Sequence, residues 1–368
     1  MKKLKIGVAG LGRAFSLTAP AFRDPRVALL AGADPRPEAR RKFETDFGGK
    51  AYASVEELCA DPALDVIYVA TPHELHAPHA CLALSRGKHV LVEKPMALTL
   101  EECRAMVEAA RAAGRKLIVG HSHSFDLPVL KTKQLIKSYG AVRMITALYF
   151  TDFVYRPRRP EELSAAVQNQ AAHQVDIVRL LAGGRVRSVR AFTADWDRAR
   201  PAQGAYSCLL GFDNGASASL TYSGYARFDS DEFMGWFGEL GHRKDPAQPL
   251  APRVFANEVA SKQARNYGGA EFRAGEPVAH EHFGVLIVSC DKADLRPLPT
   301  GVMIYADGER RLEALPPPRL PRVEVIDELY DAVVEGKPPL HDGEWGMATQ
   351  QVCLAMLESS RQGKEILL

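Results

Sequence analysis

Two short segments of this chain carry residue types that can move a proton. Val90-Leu91-Val92-Glu93-Lys94-Pro95 sets a lysine between the end of an apolar run and a proline. Burial and a neighbouring positive charge lower the pKa of such an ammonium group, so Lys94 can exchange a proton with a hydroxyl while the carbon gives up a hydride. Asn169, His173 and Asp176 stand four and then three residues apart, a spacing that brings all of them to one face of a helix. Imidazole titrates near neutral pH, and Asn169 can orient a hydroxyl. Lys94, His173 and Asn169 are therefore the candidate catalytic residues. Taken singly, Lys94 also reads as a surface lysine paired with Glu93, and His173 as a packed or exposed histidine.

A hydride acceptor needs a cradle, and the opening Lys5-Ile6-Gly7-Val8-Ala9-Gly10-Leu11-Gly12 has the form of one. A strand there runs into a turn in which Gly10 makes the bend, while Gly12 lets the backbone approach a pyrophosphate at a helix N-terminus. Phe15, beside Ala14, stands where the third glycine of Gly-x-Gly-x-x-Gly belongs, which weakens the motif. Asp34 lies 22 residues beyond Gly12, where a carboxylate accepts hydrogen bonds from ribose hydroxyls and favours NAD. Arg36, Arg40 and Arg41 could instead pair with a 2′-phosphate, so NADP is not excluded. Thr71-Pro72-His73 ends another apolar run at a position that commonly lines the cofactor crevice.

The elements that position these residues follow from hydrophobic periodicity. Short apolar runs at 5–8, 27–33, 66–70, 89–92 and 116–120 alternate with helical patterns at 37–47, 76–86 and 100–113. This predicts a Rossmann-type doubly wound parallel sheet over residues 1–122, with Gly87 and Gly114 as helix caps. From 123 to 368 the pattern changes to longer strands at 141–150, 186–194, 206–212 and 216–223, the last two joined by the hairpin signal Asp213-Asn214-Gly215. A helix at 165–181 and another at 345–362, closed by Gly363, complete an expected α+β domain with a mostly antiparallel sheet. Residues 227–298 yield no readable pattern.

Composition excludes several classes. The 368 residues are 46% hydrophobic, too apolar for a disordered chain. The 47 basic and 45 acidic residues leave a charge of +2, so no affinity for nucleic acid or an anionic membrane is expected. Six scattered cysteines form no Cys-x-x-Cys pair and read as reduced thiols of a cytoplasmic protein. No bilayer-spanning segment is expected, and Met1-Lys2-Lys3 precedes the first strand rather than a signal peptide. His121-Ser122-His123 and His280-Glu281-His282 could chelate a metal if each lay on a strand. Such pairs arise readily by chance, and the expectation is structural or exposed histidines and no metal.

With these motifs placed, nearly the whole chain resembles the Gfo/Idh/MocA family of oxidoreductases. The matching residues are Gly7-x-x-Gly10-x-Gly12, Thr71-Pro72-x-x-x-His76, Gly87-Lys88-His89-Val90 leading to Glu93-Lys94-Pro95, His173-x-x-Asp176, and Leu357-Glu358-Ser359-Ser360-x-x-Gly363. The resemblance implies a Rossmann domain, a second α/β domain with an open sheet used for homodimer or homotetramer formation, and a nicotinamide cofactor. It implies cofactor contacts from Gly10, Gly12, Arg13, Ala14, Phe15, Asp34, Arg36, Thr71, Pro72, His73, His76, Glu93 and Lys94. The family commonly has an aspartate where Asn169 stands, which leaves proton transfer to His173 with Lys94. Residues 229–233, 258–262 and 282–286 look like a branch of the family acting on phthalate 4,5-cis-dihydrodiol. That branch implies a small dicarboxylate oxidised to a catechol, contacted by Lys94, His123, Arg156, Asn169, His173 and Arg227, with Arg158, Arg159, Lys262 and Arg265 as further cations. A sugar or inositol dehydrogenase and a non-catalytic dinucleotide sensor are the rival readings.

Overall fold

The computed structural model describes residues 3–156, 167–201, 203–248, 250, 257–269 and 277–368. Two compact units divide the chain: Met1–His121, Asn257–Ala274 and Arg319–Gln350 form the first, and Ser122–Ala256, Gly275–Pro318 and Gln351–Leu368 the second. The sequence division at 122/123 assigned 257–274 and 319–350 to the second domain, whereas packing groups them with the first.

The first unit holds six parallel strands: β1 Leu4–Ala9, β2 Val27–Ala33, β3 Lys50–Tyr52, β4 Val66–Val69, β5 His89–Val92 and β6 Leu117–Val119. Their order is β3-β2-β1-β4-β5-β6, and every pairing is parallel. Val66, Ile67, Tyr68 and Val69 are all buried, as expected of a central parallel strand covered on both faces. The crossover helices are α1 Arg13–Thr18, α2 Pro37–Phe47, α3 Val55–Ala60, α4 His76–Ser85 and α5 Leu100–Ala113. Capping boxes at Ser54 and Thr99 start α3 and α5, and left-handed Gly48 and Gly114 end α2 and α5. The strand order reverses between β1 and β4, so Gly10 and Thr71, which follow those strands, flank the switch point where ligands of such sheets bind.

Phe15 is fully buried, and its ring centroid lies 5.8 Å from Phe47 and 5.0 Å, edge-on, from Tyr267. The Tyr267 hydroxyl donates to Asp46 at 2.6 Å. This aromatic cluster ties 257–269 to the first unit and explains why a bulky side chain is tolerated at the third glycine position.

The second unit is built on nine strands: β7 Val142–Phe150, β8 Val186–Ala194, β9 Ala205–Phe212, β10 Ser217–Ser223, β11 Val285–Cys290, β12 Ala293–Leu298, β13 Gly301–Ala306, β14 Glu309–Ala314 and β15 Ile366–Leu367. They are ordered β14-β13-β12-β11-β7-β10-β9-β8-β15, with β7 and β10 parallel and the other pairings antiparallel. One face, carrying Ile145, Ala147, Tyr149, Leu220 and Tyr222, is buried. The helices α6 Leu127–Tyr139 and α7 Ala172–Ala182 belong to this unit. Gln174 of α7 accepts a hydrogen bond from Tyr206 of β9 at 2.8 Å, so α7 lies on the buried face. The other face leaves Met144, Phe192, Leu209 and Ile287 exposed.

Candidate active site

In the first unit, the glycine turn has the form that a pyrophosphate requires. Gly10 has φ +93°, and a Cβ there would meet the Ala70 carbonyl oxygen at 2.7 Å, so only glycine fits. Gly12 is the N-cap of α1, and a Cβ placed on it would meet nothing within 4 Å. That open approach to the backbone suits the phosphates of a dinucleotide. The Asp34 carboxylate accepts the Leu11 N–H at 2.9 Å and is forked by Arg36, from Nε at 2.9 Å and Nη2 at 3.0 Å. Arg36 Nη2 also donates to the Leu11 carbonyl at 2.7 Å. Arg36 is thereby neutralised at the tip of β2 rather than held ready for a 2′-phosphate.

Lys94 follows β5, is half-buried, and is joined to Pro95 by a cis peptide bond. Its sequence neighbour Glu93 points inward, 5% exposed, and takes the Tyr68 hydroxyl at 2.5 Å. His76 is fully buried, with Nδ1 2.8 Å from the Pro95 carbonyl oxygen and Nε2 2.9 Å from that of Thr71. Burial pushes the His76 ring below its ordinary value against the opposing pull of the two carbonyls, and a neutral ring donates to only one of them. His76 thus connects the loops after β4 and β5. The Thr71-Pro72-x-x-x-His76 motif owes its spacing to that connection.

In the second unit, a ring cluster centres on Phe283. Its centroid lies 4.7 Å from His173, 5.1 Å from His123 and 4.8 Å from Tyr149, and its plane is within 2° of parallel to Tyr222 at 6.3 Å. The Tyr222 hydroxyl is buried and has no hydrogen-bond partner among the described residues. His173 Nδ1 accepts the His123 backbone N–H at 3.4 Å, which places the proton of a neutral His173 ring on Nε2. Asp176 accepts the Ser124 hydroxyl at 2.5 Å. Asn169 falls in a π-turn, Val167–Ala171, immediately before α7, and accepts from Gln170 Nε2 at 2.8 Å.

Ionic groups border these rings. His123 Nδ1 is 2.7 Å from Asp126 Oδ2, and its Nε2 is 3.6 Å from Glu239 Oε1. Burial opposes the charge on His123, but Asp126 and Glu239 prevail and push the imidazole up to about 10. Arg156 pairs with Asp152 at 3.3 Å and Glu239 at 3.6 Å, and the Tyr149 hydroxyl donates to Glu239 at 3.3 Å. Nearby, burial pushes Asp231 up to about 6 and His282 down to about 4. The unit therefore combines an aromatic wall, an N–H donor at His173 and a charged rim, an arrangement able to bind a flat ring bearing oxygens.

Comparison with known proteins places this geometry. The description "oxidoreductase family, NAD-binding Rossmann fold" matches residues 4–121, and the GFO/IDH/MocA C-terminal domain matches 129–242. The chain belongs to the Gfo/Idh/MocA oxidoreductase family. Among its relatives is the 1-carboxy-3-chloro-3,4-dihydroxycyclohexa-1,5-diene dehydrogenase of Comamonas testosteroni, 47% identical over 97% of this chain and 95% of that protein. A solved structure from Bordetella bronchiseptica RB50, described as a dehydrogenase, superposes with TM-score 0.93 at 36% identity over all of both chains. The WlbA dehydrogenase of Bordetella pertussis, solved with NADH and UDP-GlcNAcA, shares the fold at TM-score 0.70 and 22% identity over 100% of this chain and 99% of that one. As a Gfo/Idh/MocA oxidoreductase, the protein is an NAD-binding enzyme. No helix among the described residues is long and apolar enough to cross a membrane.

Within this family frame, Gly10, Gly12, Asp34, Arg36, Thr71, Pro72, His73, His76, Glu93 and Lys94 all fall in the first unit, as do Arg13, Ala14 and Phe15. His123, Arg156, Asn169, His173 and Arg227 fall in the second. Arg227 is exposed, and Lys262 and Arg265 belong to the first unit rather than the second domain. Arg158 and Arg159 lie outside the described residues. The histidine pairs do not lie on strands: β6 ends at Val119, and β11 begins at Val285. Sequence reasoning missed Asp126, Tyr149, Tyr222, Glu239 and Phe283. A trace of Phe283 was visible in the segment 282–286, whereas Glu239 sits in the stretch without periodicity and gave no signal.

Proposed function

We propose that the protein oxidises a carboxylated cyclohexadiene cis-diol to the corresponding catechol, with a cis-dihydrodiol of phthalate giving 4,5-dihydroxyphthalate as the best match. The observation that carries this reading is the 47% identity, over 97% of the chain, to an enzyme named for a carboxylated dihydroxycyclohexadiene. The ring cluster around Phe283 supports it, since flat unsaturated rings pack well against aromatic side chains.

NAD, when bound, accepts the hydride released by the carbinol carbon. Lys94, half-buried at the end of β5, takes the hydroxyl proton as a neutral amine. His173 presents its Nε2–H as a donor, because the His123 backbone N–H occupies Nδ1. Its role here is therefore that of a donor rather than a base, and Asn169 orients a second hydroxyl. The ketone so formed tautomerises to the catechol, and the gain of aromaticity drives the oxidation. Arg156 and Arg227 are the proposed contacts for substrate carboxylates, with Arg156 exchanging its present partner Glu239.

We further infer a homo-oligomer formed through the second unit's sheet, where Met144, Leu209 and Ile287 present an apolar face. Six free cysteines support a reducing, cytoplasmic location. Incubation of the purified protein with NAD and either the phthalate cis-dihydrodiol, inositol or glucose tests the substrate assignment. NADH formation with the dihydrodiol alone is expected, and turnover of inositol or glucose without turnover of the dihydrodiol overturns it. Sedimentation of the wild-type protein beside Leu209→Glu tests the assembly.

A further inference from the structure

Three tyrosines stand side by side on the buried face of the second unit's sheet. Tyr222 of β10 is paired in register with Tyr149 of β7 and with Tyr206 of β9, so the three side chains share that face. Tyr206 stacks on Tyr222 with ring centroids 5.3 Å apart, and Tyr149 meets it at 6.1 Å. Their hydroxyls differ in what they bind. Tyr206 donates to Gln174 at 2.8 Å and Tyr149 to Glu239 at 3.3 Å. The middle hydroxyl, on a residue only 1% exposed, has no hydrogen-bond partner among the described residues. A buried hydroxyl without an acceptor costs stability that a phenylalanine in its place would not.

The groups around that hydroxyl indicate what it can hold. Thr151 follows β7 two residues after Tyr149, and its hydroxyl accepts Arg156 Nη2 at 3.1 Å. The Thr151 N–H donates to the carbonyl of Ser223, the residue after Tyr222, at 2.8 Å, so the guanidinium is anchored where β7 and β10 end together. Arg156 Nη1 stands 3.6 Å from Glu239 Oε2, the same oxygen that accepts the Tyr149 hydroxyl. A phenol and a guanidinium thus already converge on one carboxylate oxygen. Tyr222, in register with Tyr149 and in the field of the same Arg156, sets a second phenol beside that guanidinium. Donors placed side by side suit a group that only accepts, and an ionised carboxylate is such a group.

We propose that Tyr222 determines specificity by donating its hydroxyl to a carboxylate of the ring substrate, the same carboxylate that Arg156 pairs with. This rests on the reading of the substrate as a carboxylated cyclohexadiene diol and names the group that selects the carboxylate. The Arg156 side chain is 35% exposed, so an incoming anion meets it first. Its 3.6 Å separation from Glu239 is beyond hydrogen-bond range, which ends at about 3.2 Å, so turning to the substrate gives up no hydrogen bond there. Glu239 keeps the Tyr149 hydroxyl. A ring without the carboxylate leaves the Tyr222 hydroxyl buried and unsatisfied, which is how a polar site rejects an analogue lacking the matching group.

Calorimetry of the NAD-loaded protein with phthalate, which carries the carboxylates, and with catechol, which carries none, tests the assignment. Tyr222→Phe should weaken phthalate binding about 10–100-fold and leave catechol binding close to wild type. In turnover of the phthalate cis-dihydrodiol, the loss should fall mainly on KM. Thermal melts without ligand distinguish a structural role. Tyr222→Phe should melt at or above wild type, since no bond within the protein is lost, whereas Tyr206→Phe breaks the bond to Gln174 and should melt lower while keeping its phthalate affinity. Equal phthalate affinity in the wild type and in folded Tyr222→Phe overturns the proposal, as does wild-type protein that binds no phthalate. Phthalate binding that depends on Tyr222, in a protein that leaves the dihydrodiol unoxidised, upholds the carboxylate contact and overturns the substrate reading. Dihydrodiol turnover with an unchanged KM in Tyr222→Phe does the reverse.

Discussion

The imidazole of His76 reaches the carbonyl oxygen of Pro95 at 2.8 Å, one residue beyond Lys94, while its other nitrogen faces Thr71. One buried side chain therefore sets the position of two loops at the mouth of the parallel sheet. His76→Phe should cost about 1–3 kcal/mol of folding stability through the loss of a buried hydrogen bond, and should lower kcat because the Lys94 loop loses its anchor. Denaturant melts and steady-state kinetics measure the two effects.

The same residue has a pH signature. Burial holds the folded ring below 6.5, so the unfolded chain binds the proton more readily. This contribution is fully present above pH 6.5 and is lost as pH falls from there toward the folded value. Between about pH 7 and 5 the melting temperature of the wild-type protein should fall more steeply than that of His76→Phe, and parallel slopes would count against a neutral buried ring.

Lys94→Ala should reduce kcat by about 10²–10⁴-fold, the range of a lost general base, with NAD affinity nearly unchanged. Fluorescence titration with NADH separates that outcome from collapse of the cofactor site. Retention of wild-type turnover would remove Lys94 from the chemistry.

Asp34 holds Arg36 in a two-pronged pair. Asp34→Ser removes the acceptor for ribose hydroxyls and releases the guanidinium toward a 2′-phosphate. NAD affinity should drop about 10–100-fold, as for a charge-assisted hydrogen bond, while NADP affinity rises. In Asp34→Ser/Arg36→Ala the NADP gain should vanish. Calorimetry with both nucleotides decides between these outcomes.

Arg26 joins Asp24, through Nε and Nη2 at 2.8 Å each, to Asp327. The guanidinium beside Asp24 holds its carboxyl below the usual carboxylate range. This contribution is present above pH 3.8 and is lost as pH falls through the lowered value. Arg26→Ala should cost about 1.5–3 kcal/mol at neutral pH and flatten the acid limb of the stability profile. Urea melts across that limb would show it.

The parallel sheet was legible because its central strands are continuous apolar runs and its turns hold glycines. The helices 37–47 and 100–113 occur with those bounds, since proline or a capping box starts them and glycine ends them. Strand β3 was missed: three residues at a sheet edge carry too little periodicity. Strands β11 to β14 were missed for a different reason. Arg310 and Arg311 interrupt β14, Pro297 sits inside β12, and β11 pairs with β7, which is distant in sequence. The site divided along the same line. Lys94, His173 and the glycines became candidates by type and spacing, whereas Glu239 and Phe283 become partners of His123 only when the chain folds.

Tyr267 packs edge-on against Phe15 although 252 positions separate them along the chain. The Rossmann half consequently does not end where its last strand ends. A gene fragment stopping after position 122 omits Tyr267, uncovers Phe15 and Phe47, and should yield aggregated material. Recombining this half with a relative's partner half therefore calls for grafting three separate stretches of polypeptide, with a single crossover at that point expected to fail.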